Sequence, residues 1–182
     1  DDFGNLNYVI PPILADKIIK ENKSMADNSL EVKQYAYLYK YDERNRCIRK
    51  RLPGCDWIYY VYDRTDRLIF TQDGESRKKH EWIYSIPDAL GRIVQTGTCR
   101  NTDISNENYK DKLVIGTYNV EKGYSFSDFI PENRRYFMNN YYDNYDFLTD
   151  RNKELVYEDR PGYGKRYNVN DYSAKGYSPV LM

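Results

Sequence analysis

The groups with which this sequence could do chemistry are one histidine (His80), three cysteines (Cys47, Cys55 and Cys99) and 28 aspartates and glutamates. A nucleophilic site needs a serine or cysteine within reach of a base. His80 ends the polar run Arg77-Lys78-Lys79 at the start of an expected strand, with no partner indicated, and reads as a surface or edge histidine. No Gly-x-Ser-x-Gly elbow occurs. Gly162-Tyr163-Gly164-Lys165 lacks the spacing and hydroxyl of a phosphate loop. Asp171 and the asparagines near it do not follow the order of a calcium loop. The cysteine spacing matches no zinc pattern. Free, buried thiols are the default reading, with a Cys47–Cys55 bridge across Pro53-Gly54 left open. The expectation is no catalytic residue, no cofactor and no metal.

Three aspartates instead head a recurring pattern. Tyr41-Asp42 is followed by two free residues and Asn45-Arg46, Tyr62-Asp63 by two free residues and Asp66-Arg67, and Pro87-Asp88 by two free residues and Gly91-Arg92. An aspartate opening a type I turn accepts hydrogen bonds from amides two or three residues on. Asn, Asp and Gly are the residues that best tolerate positive φ. A type I turn followed by a left-handed residue closes a hairpin with a G1 bulge. The copies vary where the turn is indifferent and agree where it is demanding. The arginine after each turn is expected to cover a neighbouring tyrosine face or pair with a carboxylate.

The elements that must carry these turns follow from periodicity. Ile13, Leu14, Ile18 and Ile19 fall at helical spacing after Pro11-Pro12, predicting a short amphipathic helix to about Asn22 that covers an end or edge of a sheet. A polar loop then runs through Ser29. From about Val32 the period becomes two, with Tyr35, Tyr37, Tyr39 and Tyr41 on one face of a strand. With Pro53-Gly54 and Asp73-Gly74 as further turns, residues 32–98 read as a six-stranded antiparallel meander. Arg100 to Lys112 reads as a long polar loop, and Leu113–Val120 with Tyr124–Phe129 as a hairpin. Tyr141 to Phe147 echoes the repeat without its arginine, and the tail from Asp159 has no clear period. The fold expected is mainly β, an antiparallel meander with a short N-terminal helix. Three segments follow: 1–31, the helix and loop; 32–98, the meander; and 99–182, a looser tyrosine-rich continuation of the sheet.

Composition agrees. Twenty-one tyrosines against 6 phenylalanines and 2 tryptophans favour strands with one wet face. Equal numbers of acidic and basic residues, 28 each, remove the global electrostatic argument for nucleic acid or an anionic membrane. No run approaches the roughly 18 apolar residues of a membrane span. The chain opens Asp1-Asp2-Phe3-Gly4 with no basic-then-apolar run; that reads as an internal start and leaves export open.

At its three turns the sequence resembles the YD repeats of bacterial Rhs and toxin-complex-related proteins: an aromatic, any residue, Tyr-Asp, two free residues, Gly-Arg and an apolar residue. Tyr41-Asp42 and Tyr62-Asp63 match the first half and Gly91-Arg92 the second, while Arg46 and Arg67 complete the other copies. Departures are Pro87 in place of Tyr, and Asn45 and Asp66 in place of Gly. The resemblance implies a large secreted or surface-displayed protein whose hairpins form a β-wall, its partners being adjacent repeats of the same chain and an enclosed C-terminal effector. Open sheet edges would also allow an edge-strand dimer. The leading expectation is thus a non-catalytic structural repeat segment, part of a β-sheet wall or stalk. The alternative is a carbohydrate- or host-ligand-binding module using exposed rings, with Trp57 and Trp82 as platforms, against which stands the reading of rings stacked as cross-strand ladders. An enzyme is a distant third.

Overall fold

The computed structural model describes residues 1–22, 26–100, 103–119, 123–128 and 133–142. It is mainly β, and its principal sheet is antiparallel. The first helix, α1 (Pro12–Glu21), has Pro12 at its first position, where a missing N–H costs nothing. It ends where Asn22 turns left-handed at φ 43°. A second helix, α2 (Leu30–Tyr35), was not anticipated: Ser29 caps it by accepting from the Val32 amide at 3.3 Å. Tyr35 therefore closes a helix and does not begin the strand. The alternation of tyrosines is real only from Tyr37 onward.

The strands follow in order: β1 (Tyr8–Val9), β2 (Tyr37–Tyr41), β3 (Cys47–Arg51), β4 (Trp57–Tyr62), β5 (Leu68–Gln72), β6 (Trp82–Pro87), β7 (Ile93–Cys99), β8 (Ile115–Asn119), β9 (Gly123–Ser127) and β10 (Arg135–Asn139). The main sheet runs β1-β2-β3-β4-β5-β6-β7-β10, so β2 to β7 form the expected six-stranded meander. The hairpin β8–β9 makes a sheet of its own. Two compact units divide the chain: Asp1–Thr117 with Phe126–Asn139, and Tyr118–Ser125 with Asn140–Met182. In the second, the rings of Tyr118, Tyr124 and Tyr141 lie 5.4 Å apart pairwise, and the Tyr124 hydroxyl donates to the Asn140 carbonyl at 2.6 Å. Residues 143–147 of the expected repeat echo, and the tail, lie outside the described residues.

The register places Leu38, Arg51 and Trp57 in one cross-strand row, and Val61, Phe70, Tyr84 and Gly97 in another on the same face. That face is the dry one. At one end Leu14, Val32 and Ala36 close over Leu38, with Ile18, Tyr35 and Trp57 packed around them. Of the apolar set in α1 only Leu14 is deeply buried; Ile13 and Ile19 stay exposed. Further along, the segment expected as plain loop carries a one-turn helix, α4 (Asn106–Tyr109), whose Tyr109 ring meets Phe70 edge-on at 4.9 Å. Burying such aromatics accounts for much of the sheet's stability. Gly97 has a specific reason: a Cβ there would come within 2.7 Å of both the Tyr136 Cα and the Tyr84 hydroxyl.

Candidate functional site

Because the meander is antiparallel, the hairpins β2–β3, β4–β5 and β6–β7 all turn at the same end of the sheet. Their three aspartate–arginine turns stand in a row there. Each turn adopts the expected geometry. Asn45, Asp66 and Gly91 donate their amides to the carbonyls of Asp42, Asp63 and Asp88, at 3.0, 3.1 and 3.0 Å. All three hold positive φ, at 59°, 64° and 84°.

The aspartates do more than the turn requires. Each uses Oδ1 to accept from the amides two and four residues on: Arg44 and Arg46, Thr65 and Arg67, Leu90 and Arg92, all at 2.9–3.1 Å. The second donor lies one residue beyond the expected reach. Oδ2 then pairs with the arginine that ends the turn, at 2.7 Å in every copy. Charge-assisted bonds of this length are the strong ones. Burial pushes the carboxyls of Asp42, Asp63 and Asp88 up, but the arginine side chains and the turn amides outweigh it and hold all three below the ordinary aspartate value. The middle carboxylate is the most enclosed, with the Asp63 side chain at 0% exposure against 17% for Asp42 and 13% for Asp88.

The arginines also reach forward to the next turn. Arg46 Nη1 donates to the Asp63 carbonyl at 3.1 Å and to Asp66 Oδ1 at 2.9 Å, and Arg67 Nη1 donates to the Asp88 carbonyl at 3.2 Å. Arg44 adds bonds to the Arg64 carbonyl and to Asp66. Where the third copy has Gly91 and no carboxylate, Arg67 instead donates its second nitrogen to the Val114 carbonyl at 3.0 Å. The row begins one step earlier, with Asn5 donating to the Asn45 side chain at 3.0 Å.

A second repeated device lies just inside each turn. Pairing shifts from Lys40↔Arg49 to Tyr41↔Cys47, from Val61↔Phe70 to Tyr62↔Leu68, and from Ile86↔Gln95 to Pro87↔Ile93. Ile48, Ile69 and Val94 are the extra residues, a bulge that bends and twists each hairpin alike. Near the second bulge the Asn106 carboxamide accepts from the Tyr62 amide at 3.1 Å and donates to the Tyr60 carbonyl at 2.8 Å, standing in for a strand's peptide group. Sequence reasoning passed over Asn106, and nothing local marks it.

The expected rings are placed as follows. Trp82 is 8% exposed and lies edge-on to Phe70 at 6.4 Å, so it offers no open platform. Trp57 is half-buried, with the Arg49 and Arg51 guanidinium carbons 5.4 and 5.1 Å from its ring centre. Cations, more than stacked rings, cover the meander's tyrosines: Lys50 lies over Tyr60 at 5.7 Å, Arg46 over Tyr62 at 5.0 Å and Arg77 over Tyr59 at 4.3 Å. His80 is exposed, in a left-handed turn at φ 55° between the short helix α3 (Gly74–Lys78) and β6. The three cysteines are free. Cys99 is buried, which pushes its thiol up to about 12, whereas Cys55 is exposed and departs from the expectation of buried thiols. Among the described residues no group of His, Cys, Asp and Glu could hold a metal.

No family model, no curated protein and no solved structure matches this chain.

Proposed function

We propose that this chain is a non-catalytic repeat segment of a large secreted or surface-displayed protein of the YD-repeat, Rhs-like kind, whose work is to build a β-wall. The observation that carries this reading is that the arginines of the first two turns each bond the backbone of the turn that follows. A hairpin that spends its charged side chain on its successor is specified for stacking, one unit after another. The turn end is then a continuous polar seam, and the shared bulge gives every unit the same bend.

The partners in this reading are further hairpins of the same kind and an effector enclosed by the wall. The dry sheet face, lined by Val61, Phe70 and Tyr84, belongs to the segment's own core and is not a surface for cargo. Electron microscopy of the whole polypeptide tests the proposal. A hollow β-shell with these hairpins in its wall is the expected result. An open stalk or separate beads with the turn row exposed at a tip would reject it.

A further inference from the structure

On the sheet face opposite the core, Ile83, Thr98 and Arg135 lie side by side across β6, β7 and β10. Around them Glu81, Thr98, Arg100, Asn133, Arg135 and Phe137 line an open recess of about 570 Å³. Small-molecule sites span about 300–1,000 Å³. Its charges are uneven: two guanidiniums face one carboxylate. Arg100 already pairs with Glu81, at 2.9 Å through Nη2 and 3.3 Å through Nε. The Arg135 side chain has no hydrogen bond, ion pair or ring contact among the described residues, so its planar fork of donors is open to a ligand. Beside it the Phe137 ring is 60% exposed and Ile83 42% exposed. The Thr98 hydroxyl and Asn133 amide add neutral hydrogen-bonding groups.

We propose that this recess binds the carboxylate of an acidic sugar, a hexuronate unit, with the carboxylate on Arg135. A carboxylate takes the two parallel N–H donors of a guanidinium. The apolar face of a pyranose suits an exposed phenyl ring, and its hydroxyls suit Thr98 and Asn133. A phosphate would use the guanidinium as well but leave Phe137 idle. The site is independent of the scaffolding reading, since it uses neither the turn row nor the core.

The 182-residue chain, isotope-labelled, is titrated by nuclear magnetic resonance with tri-galacturonate, neutral tri-galactose, tri-glutamate and inorganic phosphate at matched ionic strength. Tri-galacturonate alone is expected to shift amides of residues 97–100 and 133–138. Its affinity should fall about tenfold in Arg135→Gln and about threefold in Phe137→Ala, with Tm unchanged. Raising salt should weaken it, because the site is exposed. Equal shifts from tri-galactose would overturn the role of the carboxylate. Equal shifts from tri-glutamate or phosphate would overturn the sugar. Binding unaltered by Arg135→Gln, or no response at about 10 mM, would overturn the site.

Discussion

The two ends of the sheet are built on different plans. At the turn end, three hairpins repeat one solution, an aspartate, a left-handed residue and an arginine, and the first two add a bond to the turn that follows. At the opposite end each connection is particular. The turn at Pro53-Gly54 docks by the Gly54 amide donating to the Lys33 carbonyl at 2.8 Å, and thus onto α2. The next connection holds α3, capped by Asp73, whose Oδ1 accepts from the Ser76 amide at 2.7 Å. Arg77 there reaches the Trp57 carbonyl at 2.6 Å and Asp56 at 3.1 Å, yet its Nη1 is buried without a partner, as is Nε of Arg51. The turn end has no such orphan among the described residues. The repeat therefore resides at the turn end: that end is specified by a rule that can be iterated, the other by contacts that serve one position each.

Substitutions sharpen the contrast, starting with the largest. Asp63→Ala is expected to destabilise by about 3 kcal/mol, because it strands the half-buried Arg67 guanidinium and the amides of Thr65 and Arg67. Asp42→Ala and Asp88→Ala, at more open turns, should cost about 1 kcal/mol each. Urea unfolding of the three variants checks the order, and equal losses would contradict it. Acid should act through the same group. The folded carboxyl of Asp63 titrates below its ordinary 3.8. Its stabilisation is therefore complete above 3.8 and disappears as the pH falls through the folded value. Asp63→Asn should flatten stability against pH in that window, and an unchanged acid limb would argue against the pairing.

Gly91→Val should cost about 1 kcal/mol or more, since a β-branched residue holds φ 84° poorly. Unchanged melting would remove the turn assignment. At the opposite end Asp73→Ala removes only the cap of α3 and should cost about 0.5–1 kcal/mol. A loss as large as that of Asp63→Ala would erase the distinction between the ends. Smallest of all, Cys55→Ser should change stability by less than about 0.5 kcal/mol. A maleimide should label exposed Cys55 in the folded chain and leave Cys99 untouched, because that thiol is buried and raised to about 12.

What could be read in advance follows the same division. Turn chemistry is local, so Asn45, Asp66 and Gly91 announced their positive φ through residue type alone. Hydrophobic alternation carried the meander. It misled at Tyr35, where a period of two ran back into a helix that Ser29 caps, and alternation at its end cannot outweigh a capped turn of helix. It also left Trp82 as a candidate platform, although Trp82, Tyr84 and Ile86 share one face and that face is the core. The forward bonds of Arg46 and Arg67 were beyond reach, because they depend on how far apart neighbouring hairpins lie. Asn106 was invisible for the same reason, since it bonds a strand distant in sequence, and the recess around Arg135 exists only once β10 pairs with β7.

The most direct test of the account is a double-mutant cycle between Arg46 and Asp66, which belong to successive turns and lie 2.9 Å apart. Arg46→Met removes the forward bond, and Asp66→Asn keeps a residue that tolerates positive φ. A favourable coupling of about 0.5–1 kcal/mol is expected, modest because Asp66 is largely exposed to solvent. Additive losses would mean that the turns stand side by side without holding one another.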